Sequence, residues 1–216
     1  MVAAHVLLRG LPGVGKSTFG KLLQDKFPKS QYISSGQLLR RHNDKHIQSI
    51  LSNGELVDSN LIMDIMKDEV SKFSDCSFVI LDGFPRKLVE MKQWITSTQL
   101  PSLVVYLHLP VDRLVKRIMH RQTCMNCGAV YNAYSDDSMR AIVPRFADVC
   151  DICNASSLIN RPEDSELIVR RRLACSTTEE EPIIRYLEHE IGPSRFVHID
   201  GSSIETISTA IQQIRF

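Results

Sequence analysis

An α/β fold is predicted: a doubly wound parallel sheet of five strands with helices on both faces, carrying one small inserted lobe. Three observations predict it. Five apolar, strand-like runs alternate with helical patterns along the 216 residues. One of them, Phe78-Val79-Ile80-Leu81, is apolar without interruption, the mark of a strand buried on both faces. The stretch from Thr123 to Asn160, by contrast, loses the helical period and collects two C-x-x-C pairs.

The elements follow in chain order. Val6-Leu7-Leu8 forms the centre of a first strand at His5–Arg9, and a helix starts at Ser17 and runs through Leu23. A second strand, Gln31–Ile33, leads into Ser35-Gly36, a pair suited to a helix N-cap, with Arg40 one turn further on. The remaining strands fall at Ser77–Leu81, Leu103–His108 and Arg195–Ile199. Apolar residues at helical spacing make Val111–Gln122 and Ser165–Ser176 the clearest amphipathic helices. Between these two helices lie turn formers such as Ser135-Asp136-Asp137-Ser138, which argue for an insert over 123–160. Ligands in doubly wound sheets sit beyond the carboxyl ends of the strands. Gly10–Ser17, Ser35-Gly36 and Asp82-Gly83 all fall at those ends.

Gly10-Leu11-Pro12-Gly13-Val14-Gly15-Lys16-Ser17 matches G-x-x-x-x-G-K-[ST], and it stands in the strand–loop–helix setting that motif requires. Its glycines allow backbone N–H groups to ring a phosphate chain. Lys16 can then reach the outer phosphates and the Ser17 hydroxyl can ligate Mg²⁺. The fold class is therefore of the P-loop NTPase type. Asp82 ends an apolar strand beside this loop, the placement that holds Mg²⁺ directly or through water. Gly83 permits close backbone approach, and Arg86 is placed to clamp phosphate with a bidentate fork.

Bulk properties narrow the partners. A net charge of +1, spread along the chain, argues against a nucleic-acid partner. No apolar run approaches the ~20 residues of a membrane span. The N-terminus enters a strand almost at once, which leaves no room for a signal peptide. Four of the six cysteines form the pairs Cys124/Cys127 and Cys150/Cys153; Cys76 and Cys175 read as isolated buried thiols in a reducing compartment. Two such pairs match a zinc ribbon. Four thiolates close a tetrahedral site with no open position, so a structural Zn²⁺ is expected rather than a catalytic one. A lobe this small builds little core, and zinc adds roughly 10–16 kcal/mol of apparent binding energy to folding such a piece.

In order, the chain carries Gly10–Ser17, Ile33–Arg40, Gly54-Glu55-Leu56-Val57-Asp58, Asp82-Gly83-Phe84-Pro85-Arg86, Arg117–Arg121, Arg161-Pro162-Glu163-Asp164, Arg172 and Asp200-Gly201. This ordered set resembles the adenylate kinases, within the nucleoside monophosphate kinases, over essentially the whole length. The resemblance implies reversible transfer of the γ-phosphoryl group from Mg²⁺-ATP to a nucleoside monophosphate, with AMP favoured. It implies that Gly10, Gly13, Val14, Gly15, Lys16, Ser17 and Thr18 bind ATP, with Arg117 and Ser203 near its base. Ser35, Gly36, Leu56, Val57, Gly83 and Glu90 would line the acceptor pocket, and Arg40 and Arg86 would hold the acceptor phosphate. Arg121, Arg161 and Arg172 would close over the transferring group, oriented by Glu163 and Asp164. Asp82 and Ser17 would hold Mg²⁺, and Cys124, Cys127, Cys150 and Cys153 would hold zinc in a mobile lid at 123–160. The core would comprise 1–122 and 161–216, with an acceptor-binding helical segment at about 34–63. A cytoplasmic monomer is the default expectation, and an organellar pool stays open.

The chain departs from the family pattern at several points. Ser17 stands where these enzymes usually have Gly, Gln122 replaces the second of two paired arginines, and the Cys127–Cys150 interval is several residues longer than expected. Glu90 stands where Gln usually pairs with adenine. An ionised Glu only accepts hydrogen bonds, which keeps GMP, and less so UMP or CMP, open as acceptor. It also leaves open a solvent-facing Glu90 with Gln93 reading the base. A reading of another class, a zinc-ribbon P-loop nucleotide-binding or ATPase module without kinase turnover, is opposed by the retained Lys, Asp and Arg set.

Overall fold

The computed structural model describes residues 4–137 and 141–214; Ser138 of the turn cluster lies outside them. The first half of the chain runs β1 (Ala4–Arg9), α1 (Lys16–Lys26), β2 (Ser30–Ser34), α2 (Ser35–Arg41), α3 (Lys45–Ser52), α4 (Ser59–Ser71), β3 (Phe78–Asp82), α5 (Leu88–Ser97) and β4 (Leu103–His108). The second half runs α6 (Val111–Met119), β5 (Arg121–Cys124), β6 (Val130–Asn132), β7 (Leu158–Ile159), α7 (Glu166–Ile191), β8 (Phe196–Asp200) and α8 (Ile204–Gln213).

Five parallel strands form one sheet in the order β2-β3-β1-β4-β8. Its register aligns Leu8 of β1 and Ser34 of β2 with Asp82 of β3, and Arg9 with Tyr106 of β4. The loops that follow β1, β2 and β3 therefore emerge side by side. Two apolar clusters cover the sheet's faces. One takes Phe19 and Leu23 of α1, Leu114 and Ile118 of α6, and Ile207 and Ile211 of α8. The other takes Ile62 and Met66 of α4 and Met91 and Trp94 of α5. Helix α7 serves both, with Val169 and Leu173 in the first and Ile183, Leu187 and Ile191 in the second.

The sequence reading needs three local corrections. Helix α6 stops at Met119, and Gln122 lies in a strand paired with Tyr131, because the insert's three-stranded antiparallel sheet, β6-β5-β7, claims the segment. Helix α7 continues to Ile191 rather than ending near Ser176. Its polar stretch from Ser176 to Glu181 breaks the apolar pattern, and Ser176, Glu179 and Glu180 there border a cleft instead of a core. At the start of α2 the cap position belongs to Ser34, and Ser35 is already helical. Helices α3 and α4 are better capped: Asp44 accepts from His46 N–H at 2.7 Å, and Asp58 from Asn60 N–H at 2.9 Å.

His5 is fully buried in β1, and its Nδ1 accepts the Trp94 indole N–H at 3.3 Å. Burial lowers its pKa from 6.5 to about 4. Between those two values the unfolded chain binds a proton that the folded chain refuses, so stability falls as the pH drops through this window. His5 should contribute a loss of about 3 kcal/mol between pH 7 and pH 4. Urea unfolding of His5→Asn across that range should show the slope reduced by this amount; an unchanged slope would assign the acid sensitivity to other groups.

Candidate active site

Lys16 and Ser17 open α1, directly after a loop that needs its glycines. Gly10, Gly13 and Gly15 have φ values of 124°, 85° and 110°. A Cβ on Gly10 would lie 2.1 Å from the Leu107 carbonyl oxygen, so no other residue fits there. Val14 closes the turn with its N–H on Leu11 O at 3.3 Å, while its side chain is buried in the core. Lys16 Nζ donates to Gly10 O at 2.6 Å and Leu11 O at 3.0 Å, across the loop's mouth. Burial lowers the Lys16 pKa, with Asp82 and Glu180 opposing.

Asp82 is buried at the end of β3 and collects two donors on one oxygen. Ser17 Oγ lies 3.0 Å from its Oδ2, and the Tyr32 hydroxyl donates to the same atom at 2.5 Å. A carboxylate and a hydroxyl this close beside a phosphate loop are the hard oxygen pair that suits Mg²⁺. Tyr32 escaped notice in the sequence, where it reads only as an apolar strand residue.

One cleft gathers the predicted cations. Lys16, Arg40, Arg86, Arg121, Arg161 and Arg172 all line it, with Gly10, Gly13, Gly15, Ser17, Thr18, Gly36, Leu56, Asp82, Gly83 and Arg117. The guanidiniums arrive from separate segments: Arg40 on α2, Arg121 on β5, Arg172 on α7, and Arg86 and Arg161 in loops. Arg86 Nε donates to Gly83 O at 2.7 Å, and Ser35 Oγ donates to the same carbonyl at 2.6 Å. Asp164 takes Arg121 Nε at 2.9 Å in a bidentate pair, and Glu163 Oε1 lies 3.5 Å from Arg40 Nη1. Arg161 Nε donates to Thr123 Oγ1 at 2.9 Å. Arg172 Nη1 is buried with no partner among the described residues. Burial, then the neighbouring Arg172 charge, pushes Arg86 down to about 10; burial, then Arg121 and Arg40, pushes Arg161 down to about 9. Arg40 and Arg172 are lowered for the same reasons. A set of crowded, partly desolvated cations is a site for several anionic oxygens.

A smaller pocket opens beside Arg86, lined by Ser35, Leu56, Val57, Ile62, Phe84 and Glu90. Glu90 is 2% exposed, whereas Gln93 points to solvent. The solvent-facing alternative for Glu90 is therefore overturned. Its Oε2 accepts Arg86 N–H at 2.8 Å and Lys87 N–H at 3.3 Å, and its Oε1 accepts the Ser59 hydroxyl at 2.7 Å. Arg117 Nη1 donates to Gly201 O at 3.1 Å. Ser203 caps α8 by accepting Thr206 N–H at 3.0 Å and is not among the residues lining either pocket. Cys175, expected to be buried, is exposed and borders the cleft.

The insert walls the cleft with Val130, Asn132 and Ile142, and a Cβ on its Gly128 would come within 3.2 Å of Gln37 in α2. Its four paired cysteines cluster with all Sγ atoms within 4.8 Å of one another. Tetrahedral thiolates about 2.3 Å from zinc stand about 3.8 Å apart, so the set fits. Both knuckles are built alike. Gly128 N–H bonds Cys124 O at 2.9 Å and Cys124 N–H bonds Ala129 O at 2.8 Å; Asn154 N–H bonds Cys150 O at 2.8 Å and Cys150 N–H bonds Ala155 O at 3.0 Å. Gly128 and Asn154 both take the left-handed conformation that tightens the turn, with φ of 74° and 57°. Burial, then the neighbouring thiols, pushes Cys127 up to about 12 against its bond from Ala129 N–H.

A phosphate loop, a Mg²⁺-competent carboxylate and a set of arginines in one cleft define a P-loop nucleotide kinase. Comparison with known proteins agrees. The family model described as adenylate kinase matches residues 8–191. The adenylate kinase of Rickettsia rickettsii (strain Sheila Smith) is 29% identical over 216 residues, covering 97% of each chain. That of Orientia tsutsugamushi (strain Ikeda) is 29% identical over 212 residues, covering 95% of this chain and 94% of its own. The chain belongs to the adenylate kinase family, and it is a nucleoside monophosphate kinase.

Purified protein should contain about one zinc per chain. Cys150→Ser should empty the site and lower the melting temperature by about 5 °C or more. Metal analysis paired with calorimetry checks both, and a zinc-free protein of undiminished stability would remove the site.

Proposed function

We propose that the chain transfers the γ-phosphoryl group of Mg²⁺-ATP in line to AMP, giving two ADP. The observation that carries this is that one cleft is lined by Lys16 and the phosphate-loop glycines together with Arg40 and Arg86. In this reading the loop amides and Lys16 hold the donor phosphates, and Arg117 lies towards the donor base. Arg40 and Arg86 grip the acceptor phosphate. Arg121, Arg161 and Arg172 neutralise charge on the transferring group, held in place by Glu163 and Asp164. An acceptor phosphate oxygen is already ionised at neutral pH, so no side chain need remove a proton. Positioning and charge stabilisation then supply most of the catalysis. Mg²⁺, carried in with ATP, would be held by Ser17 and Asp82, directly or through water, and would supply charge neutralisation at the transferring phosphates.

The insert at 123–160 acts as a lid that excludes water from the cleft. Its contact with Gln37 supports that reading, as does the wall it contributes. Structural zinc keeps it folded. Gln122 leaves the site one cation short, which puts more weight on Arg121. A monomer in a reducing, cytoplasmic setting fits the six free cysteines. Among the described residues, no helix is long and apolar enough to cross a membrane. The near-neutral net charge argues against a nucleic-acid partner.

Glu90 carries a second reading of the acceptor. Three protein donors hold its carboxylate as an acceptor only. It can take the adenine amino group, but it has no donor for adenine N1. Guanine offers two donors on the same edge.

With ATP as donor, ADP formation should depend on added monophosphate, with AMP the best of AMP, GMP, UMP and CMP. Equal ATP turnover with and without every monophosphate would refute kinase transfer, and a clear GMP preference would select the second reading. Lys16→Met should lower kcat about 100-fold or more. Glu90→Gln restores a donor and should raise kcat/KM for AMP about tenfold. An unchanged value would confine Glu90 to capping α5.

A further inference from the structure

Arg9 is a charged residue at the end of the sheet's central strand, with only 3% of its side chain exposed. Its guanidinium is occupied by protein acceptors. Nε donates to Glu180 Oε1 at 3.2 Å and Nη2 to Oε2, a bidentate pair, while Nη1 donates to the Pro85 carbonyl. Glu180 Oε1 also accepts the Gly10 N–H at 2.8 Å. One buried ion pair thus joins three segments: the first amide of the phosphate loop, the carbonyl just before Arg86, and α7 about two turns beyond Arg172. Such pairs stabilise a fold no better than apolar residues of the same size. An ion pair here, in a strand otherwise apolar from Val6 to Leu8, needs another reason.

We infer that Arg9 and Glu180 are positioning residues for phosphoryl transfer, a clamp that sets the donor loop against the acceptor arginines. The inference rests on the transfer reading above. In-line transfer tolerates little misplacement of donor and acceptor. The clamp ties Gly10, at the donor end, to Pro85, whose neighbour Arg86 grips the acceptor. It also governs charge. Glu180 borders the cleft and acts on Lys16. Paired with Arg9 it is neutralised; unpaired it would oppose incoming phosphates.

The test compares Arg9→Leu, Glu180→Leu and the double Leu variant by thermal unfolding, ATP binding in the calorimeter and steady-state kinetics. Each single variant should melt earlier than the parent, because it buries one unpaired charge. Arg9→Leu should also bind ATP about tenfold more weakly, since it frees a carboxylate at the phosphates. The double variant should recover both melting temperature and ATP affinity yet keep kcat about tenfold or more below the parent. A double variant with parental kcat would reduce the pair to a structural role and overturn the inference. Should the Leu variants fail to fold, Arg9→Lys keeps the charge and loses the fork. It should retain ATP affinity and lose about tenfold in kcat, and parental kcat there also overturns the clamp. The binding arm needs no turnover. A parent that binds ATP but phosphorylates no acceptor refutes the transfer reading, whereas ATP affinity untouched in Arg9→Leu refutes the clamp.

Discussion

The crowding of partly desolvated cations in one cleft sets the terms for the rest of this molecule. Lys16, Arg40, Arg86, Arg161 and Arg172 are all drawn below their ordinary pKa values, by burial first and, next or further down in each, by neighbouring arginines. Left to itself such a cluster would splay or fill with water. It is held because the cations arrive from separate segments, Lys16 on α1, Arg40 on α2, Arg172 on α7, Arg86 and Arg161 in loops, and because carboxylates stand at fixed points among them. Asp164 fixes Arg121, Glu163 faces Arg40, and Glu180 neutralises Arg9. The carboxylates do not cancel the cluster; Arg172 keeps a buried nitrogen with no partner among the described residues. Phosphate oxygens are the groups that complete it.

The parallel sheet makes that convergence possible. All five strands end on the same edge, so loops distant in sequence meet there without long excursions. The register puts Asp82 level with Leu8 and Ser34, which sets the phosphate loop, the Asp82–Arg86 turn and the start of α2 side by side. Helix α7 completes the arrangement by passing from one face's core to the other's. At that crossing its side chains turn to the cleft, and the charge that would be out of place in a core becomes part of the site.

Some of this was legible in the sequence because the physics is local. Glycines at positive φ, an apolar run ending in Asp, and paired cysteines each report their own geometry. The rest was not, because it depends on what lies opposite. Ser35 looked like a cap, but its hydroxyl instead reaches Gly83 across the sheet edge. The helical signal of α7 faded at Ser176 since the next turns serve the cleft, and Gln122 followed a helical pattern that strand pairing overrode. Tyr32 carried no sign of its hydroxyl's partner. Arg9 did leave a signal: a cation closing an apolar strand must find an anion, though nothing local says it is 171 positions away.

The lengthened insert shows the same division between local and distant constraint. The interval from Cys127 to Cys150 is longer than the family pattern, and the hydrogen bonds show why the cysteine cluster tolerates it. Each knuckle closes on itself, Cys124 with Ala129 and Cys150 with Ala155, before either meets the other. The segment between them meets the sheet through the bridge from Asn132 to Ile142, and leaves Val143 and Phe146 exposed. Extra residues there change the loop without entering the thiolate geometry. A core of Cys124, Ala129, Tyr131, Cys150 and Leu158 is too small to enforce a single arrangement alone. Metal coordination can enforce it, because four bonds to one ion fix both knuckles at once whatever length of chain joins them.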